Sequence, residues 1–197
     1  GAAGRLDLPF FWAVLGVAVG GWVAALATMD PGLMQERLKP GPGGADRPLR
    51  FVIIPFYLAL LVVAGLDAGR FHWSYVPPAD QFLALLAIAS AYALSVWAIR
   101  HNRFYSPVVR IQSERGHTLV TSGPYANLRH PGYAAALLLL PATGLALGSW
   151  WAVLPALATT PLVFRRIRVE ERLLREHLPG YAAYAERVRW RLLPGVW

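Results

Sequence analysis

Residues 9–29, PFFWAVLGVAVGGWVAALATM, hold no charged side chain. A run of about 20 apolar residues, rising about 1.5 Å each, is what a helix needs to cross the hydrocarbon of a bilayer. Further apolar runs cover 51–66 and 82–99, and a longer one fills 133–164, interrupted by Gly148-Ser149 and then Trp150-Trp151. The long run reads as a helical hairpin, 133–147 and 150–164, with its tryptophans at the membrane interface. Lipid leaves open strands unsatisfied, so each run is expected to be a helix. The fold class predicted is all-α: a polytopic membrane protein with five transmembrane helices. Composition agrees, because 56% of the residues are hydrophobic and 15% charged, against about 25% charged in a soluble domain.

The net charge of +8 could point to nucleic acid, but its placement argues for topology. The 30–50 loop carries Arg37, Lys39, Arg47 and Arg50, whereas 67–81 carries Arg70 alone. Segment 100–132 carries Arg100, Arg103, Arg110, Arg115 and Arg129, the hairpin turn carries none, and the tail from Arg165 carries eight arginines. This alternation suits five spans with a cytoplasmic C-terminus, and no nucleic-acid partner is expected. Arginine supplies nearly all of the positive charge, which suggests a bacterial source and the inner membrane. There is no cysteine, which excludes disulfides, thiolate metal sites and cysteine nucleophiles. His72, His101 and His177 are isolated, so no metal-ligand spacing is present. Neither a phosphate-binding glycine loop nor a dinucleotide fingerprint occurs. Gly16 and Gly20 form a G-x-x-x-G in the first span, expected to pack inside the molecule.

Chemistry is expected in the two polar cytoplasmic segments. The tail RRIRVEERLLREHLPGYAAY places Val169, Leu173, Leu174 and Leu178 near helical spacing, an amphipathic helix that ends near Pro179-Gly180. A helix lying on anionic lipid accounts for its arginines but not for Glu170-Glu171. Arg166 and Glu170 are i,i+4 neighbours; they read either as a solvated ion pair or as a carboxylate for a cofactor beside an arginine for an anion. In the loop HTLVTSGPYANLRHPGY, residues 117–133, Ser122-Gly123-Pro124 signals a turn, and Pro131 can open the next helix with His130 extended just outside it. Tyr125, Arg129, His130 and Tyr133 would then gather at a helix N-terminus able to receive an anion. His130 reads equally well as a buried structural histidine or as a base.

Together, that loop, the Arg-x-x-x-Glu-Glu after a helical hairpin, the tyrosine pair and the closing Arg/Pro tail resemble the isoprenylcysteine carboxyl methyltransferase family, over about residues 100–194. The resemblance implies a single integral membrane methyltransferase domain, 1–197, whose first 99 residues are generic spans. It implies S-adenosyl-L-methionine as cofactor, bound at the cytoplasmic face by Arg110, Gln112, His117, Thr118, Leu119, Val120, Tyr125, His130, Pro131, Gly132, Tyr133 and Glu170. Arg166 should face the methyl acceptor, a lipophilic molecule carrying a carboxylate, amine or thiol and reached from the bilayer. Arg110 stands where part of the family has Gln, with Gln112 two residues on. The tail's Leu178-Pro179-Gly180-Tyr181 is a residue shorter than the usual Phe-Gly pattern. The rival readings are a membrane reductase using NADPH and a non-catalytic membrane protein.

Overall fold

A computed structural model describes residues 2–42, 44 and 47–197; of 47–51 it gives the backbone alone, so the Arg47 and Arg50 side chains lie outside the described residues. The described residues are all-helical, with no strand. Helix α1 (Pro9–Thr28) is followed by a short α2 (Pro31–Leu38), then α3 (Arg47–Leu66), which runs into a π-helical turn (Asp67–Phe71). Next come α4 (Pro78–His101) and a long segment with two 3-10 turns (Ser113–Arg115 and Gly123–Ala126). The chain closes with α5 (Pro131–Ala146), α6 (Val153–Ala158), α7 (Thr160–His177) and α8 (Tyr181–Arg187).

Three helical stretches, Pro9–Thr28, Val52–Phe71 and Pro78–His101, are long and apolar enough to cross a membrane. Their outward faces carry large exposed apolar side chains, among them Trp12, Val19, Trp22, Leu58, Leu61 and Leu83. Apolar faces of this extent need lipid rather than water around them, and the protein is an integral membrane protein. The expected hairpin exists, turning at Gly148 (φ +81°), but its arms differ from the expectation. The first arm, α5, has 16 residues, roughly 24 Å of helix against a hydrocarbon core of about 30 Å. The second is divided at Thr159, where Pro161 in the first turn of α7 has no N–H to continue the α6 ladder. No breaker follows Pro161, so α7 runs unbroken from the apolar end into the arginine-rich tail instead of starting anew at Arg165.

Small residues let the helices approach. Ala84 and Ile88 of α4 meet Ala142 and Ala146 of α5, with Val14 and Val17 of α1 against them. Leu60 and Ala64 of α3 meet Leu147, Ala152 and Ala156 of the hairpin. Gly16 and Gly20 do not pack inside the molecule as expected: both face open space, and Gly21 is the glycine against which the Tyr92 ring lies. At one end of the bundle the fully buried Asp67 accepts from the Ser74 amide (2.8 Å), the Ser74 hydroxyl (2.6 Å) and the Ser149 hydroxyl (2.6 Å). These bonds tie the π turn to the hairpin. The other end is where the polar segments gather.

Candidate active site

Helix α5 starts at Pro131, and His130 just before it is non-helical but not extended as expected (φ −129°, ψ 60°). Pro131 needs no hydrogen bond at that position, while the Tyr133 and Ala134 amides both donate to the His130 carbonyl. His130 is buried, and its Nε2 lies 3.3 Å from Glu171 Oε1. A carboxylate only accepts, so Nε2 carries the proton. The other ring nitrogen, Nδ1, lies 4.0 Å from Glu170 Oε1. The two adjacent glutamates therefore face one histidine but have separate surroundings.

Glu171 is buried and receives Arg129 Nε at 2.7 Å and Arg191 Nε at 3.0 Å. Burial opposes its ionisation, but hydrogen bonds from His130 and Arg191 and the charge of Arg129 hold its carboxyl at about 2. Arg129 Nη1 also donates to the carbonyls of Ala185, Val188 and Arg189. The Arg129 and His130 amides donate to the Trp190 and Arg191 carbonyls. A buried pair is tolerable only when its remaining donors are satisfied in this way. The result fastens the tail across the mouth of α5.

Glu170 keeps 29% of its side chain exposed and accepts from the Tyr133 hydroxyl at 2.5 Å. Arg166 reaches elsewhere: its Nη2 donates to the Pro107 carbonyl (2.6 Å), and its guanidinium lies 5.6 Å from the Tyr133 ring centre. Tyr105, Tyr125 and Tyr181 all feel the Glu170 charge. Burial comes first in raising all three phenols above their ordinary range, so they stay neutral. Tyr125 is fixed by Asn102 Nδ2 (3.2 Å), and its carbonyl accepts from the Tyr184 hydroxyl (2.8 Å). Tyr181 differs, since its hydroxyl is buried with no hydrogen-bond partner among the described residues. Gly132 lies directly against the Tyr105 hydroxyl, where a Cβ would have no room.

The upstream residues form a second, adjoining layer. Gln112, fully buried, donates from Nε2 to the Phe104 carbonyl (2.8 Å) and accepts from Arg115. His117 stacks on Phe104 at 4.4 Å between ring centres. Burial, then the charges of Arg115 and Arg110, lower its pKa to about 4, so it is neutral. Leu119 packs against the Leu178–Val188 cluster, Val120 is half-buried beside it in sequence and Thr118 is exposed. Arg110 is bound by carboxylates: Nε and Nη2 reach Glu36 at 3.0 and 2.8 Å, and Nη2 also reaches Glu114. Burial opposes ionisation of Glu36, yet Arg110, Ser106 and the Gly41 amide hold its carboxyl at about 2. Among the described residues there is no group of three or more His, Cys, Asp or Glu placed to hold a metal ion.

Residues 83–176 match the model of the isoprenylcysteine carboxyl methyltransferase family. Over this segment, a little under half of the chain, it is similar to that family. It is also 31% identical over 141 residues to the cobalt-zinc-cadmium resistance protein CzcN of Cupriavidus metallidurans, an alignment covering 69% of this chain and 58% of that protein. The chain thus spans less than two thirds of that relative's length. The family segment contains the 117–133 loop, α5, Arg166 and both glutamates. It leaves outside α2 with Glu36 and Arg37, and the tail with Tyr181 and Arg191. The likeness therefore covers the centre of the site, while residues from either side of the segment complete it.

Proposed function

We propose that this protein is an isoprenylcysteine carboxyl methyltransferase family member and transfers a methyl group from S-adenosyl-L-methionine to a lipophilic acceptor at the cytoplasmic face of a bacterial inner membrane. The observation that carries the reading is Glu170, a partly exposed carboxylate among neutral buried tyrosines. A carboxylate beside aromatic faces suits a soft, poorly hydrated cation, and the cofactor's sulfonium is one. The buried Tyr181 hydroxyl, without a partner among the described residues, is a polar group suited to a bound ligand. When bound, the cofactor supplies a methyl carbon on a positively charged sulfur.

The residues then divide their tasks. Glu170, with the 117–120 segment, Tyr125 and 130–133, holds the cofactor. Arg166 faces the acceptor. Glu171, Arg129 and Arg191 keep the tail closed over the site and help to exclude water. Displacement at a sulfonium disperses charge, so positioning in a dry site supplies most of what the reaction needs. A carboxylate, amine or thiol acceptor suits this chemistry. The arginine-rich loops all sit at the site's end of the bundle, which supports a cytoplasmic site and a cytoplasmic C-terminus, with α5 and α6–α7 as the fourth and fifth crossings.

The test is ligand binding by the detergent-solubilised protein. S-adenosylhomocysteine should raise thermal stability in a concentration-dependent way, by about 2.7 kcal/mol at a hundredfold excess over its Kd. NADPH should leave stability unchanged. Stabilisation by NADPH alone would make the protein a reductase.

A further inference from the structure

Helices α1 and α4 run side by side in the same direction. Val17 packs on the cluster that holds Ile88, and further along Ala25 meets Ile99 beside Tyr105, at the site's end of the bundle. Between them the two helices leave an open groove of about 530 Å³. Small residues shape it: Gly20 and Ala24 form one wall, Ala89 and Ala93 the other, and all four are exposed. A Cβ at Gly20 would meet nothing within 4 Å, whereas the space above Gly21 is taken by the Tyr92 ring, which closes the floor.

The lining changes character toward the site's end. Arg100 carries the only charge among the lining residues, and beside it stands Trp97, 47% exposed. Arg100 is exposed and makes no hydrogen bond or ion pair among the described residues. From Ala89 to Arg100 the helix rises roughly 16 Å, about half the hydrocarbon core of a bilayer, which is the depth of one leaflet's acyl chains. An indole at that level suits the head-group boundary. An arginine there lays its stem on apolar surface and holds its guanidinium out among the phosphates. A second copy of the chain would also suit a wall of small residues. In a membrane, however, both copies keep one orientation, so a symmetric pair sets two Arg100 side chains at the same level of one interface. Like charges repel there with little screening, whereas a phosphate neutralises Arg100.

We infer that the α1–α4 groove is a binding site for an anionic phospholipid of the leaflet at the site's end of the bundle. One acyl chain lies along Gly20, Ala24, Ala89 and Ala93, and the phosphate meets Arg100. Phosphatidylcholine carries the same phosphate but balances it with its own ammonium, so the groove selects lipids of net negative charge. The groove lies on the outside of the bundle, and the inference does not depend on the methyl-transfer reading.

The test titrates the full chain in neutral detergent with phosphatidylglycerol whose acyl chains carry bromine, a quencher of nearby indoles, and with phosphatidylcholine of the same chains. Trp97 emission is the difference between the unmodified protein and Trp97→Phe. Phosphatidylglycerol should quench it at a concentration about fivefold lower than phosphatidylcholine, the worth of one basic side chain at an anionic head group. Arg100→Gln should remove that preference. Gly20→Leu, which fills open space, should weaken quenching by both lipids. Equal quenching by the two lipids would overturn the inference and make the groove an ordinary boundary position. A preference kept in Arg100→Gln, or quenching untouched by Gly20→Leu, would overturn it as well. A dimer in the same detergent that Gly20→Leu separates would give the groove to a second copy instead. Should Arg100→Gln not fold, the two lipids on the unmodified protein and the Gly20→Leu variant decide.

Discussion

Arg129 and Glu171 form an ion pair of 2.7 Å with 4% and 7% of their side chains exposed. Each is costly to leave alone. Removing one member of a buried pair typically costs about 3–5 kcal/mol, because the other charge stays behind. Glu171→Gln should therefore lower the thermal stability of the ligand-free protein by an amount in that range. Glu176→Gln, at a side chain 57% exposed, should change it by no more than about 0.5 kcal/mol. Equal melting of both variants would show that the tail is not held through this pair.

A different slope is expected on mild acidification. His117 is neutral in the folded protein, with a pKa lowered to about 4 by burial and by Arg115 and Arg110. The unfolded chain takes up that proton near pH 6.5. Between about pH 6.5 and 4 the unfolded state binds more protons, so stability falls as pH falls. Glu36 and Glu171, held at about 2, add their loss only below about pH 4.3. Thermal melts from pH 8 to 4 should show the first decline. In His117→Phe, which keeps the stack on Phe104, it should disappear.

Glu170 and Arg166 should separate in function. Glu170→Gln keeps an acceptor for Tyr133 but removes the charge, so S-adenosylhomocysteine affinity should fall by about 1.5–3 kcal/mol, the worth of a charge-assisted contact. Arg166→Lys keeps the charge but loses the planar fork, and should impair acceptor use with cofactor binding nearly intact. Calorimetric titration of both variants checks this. Unchanged affinity in Glu170→Gln would return that residue to the role of a surface carboxylate.

Reporter fusions test the topology. Arg70 lies in the π turn at the Asp67 end of the bundle, and the C-terminal tail lies at the other. Fusions at Arg70 and at the C-terminus should report opposite sides of the membrane. The same side for both would require a different number of crossings.

Local signals in the sequence carried the helix starts and turns. Pro131 opening α5, the turn at Gly123 and the hairpin at Gly148 depend on a few adjacent residues with restricted backbones. His130 and Tyr133, at the end of the 117–133 loop, lie against Glu170. Arg166 and Glu170, neighbours on the helix, instead engage Pro107 and Tyr133. Arg110, expected beside the cofactor, is bound by Glu36, 74 residues away in sequence. No periodicity encodes such a partner. The buried row of α7 runs Val163, Ile167, Glu171; a glutamate in an apolar row is legible only once Arg129 and Arg191 are seen against it. The stripe through Val169 and Leu173 leaves it out for that reason, and although Tyr181 stands in the tail motif, nothing local marks its hydroxyl as one without a partner among the described residues.

The fastening of residues 185–191 onto Arg129 and His130 also sets an order in time. Translation proceeds at about 5–20 residues per second, so Arg191 follows Arg129 by roughly 3–12 s. For that interval α5 is already made, while the carboxylate and carbonyls that will receive Arg129 have yet to leave the ribosome. The start of α5 is therefore made before the segment that fastens onto it, and the two can join only after residues 185–191 have been added.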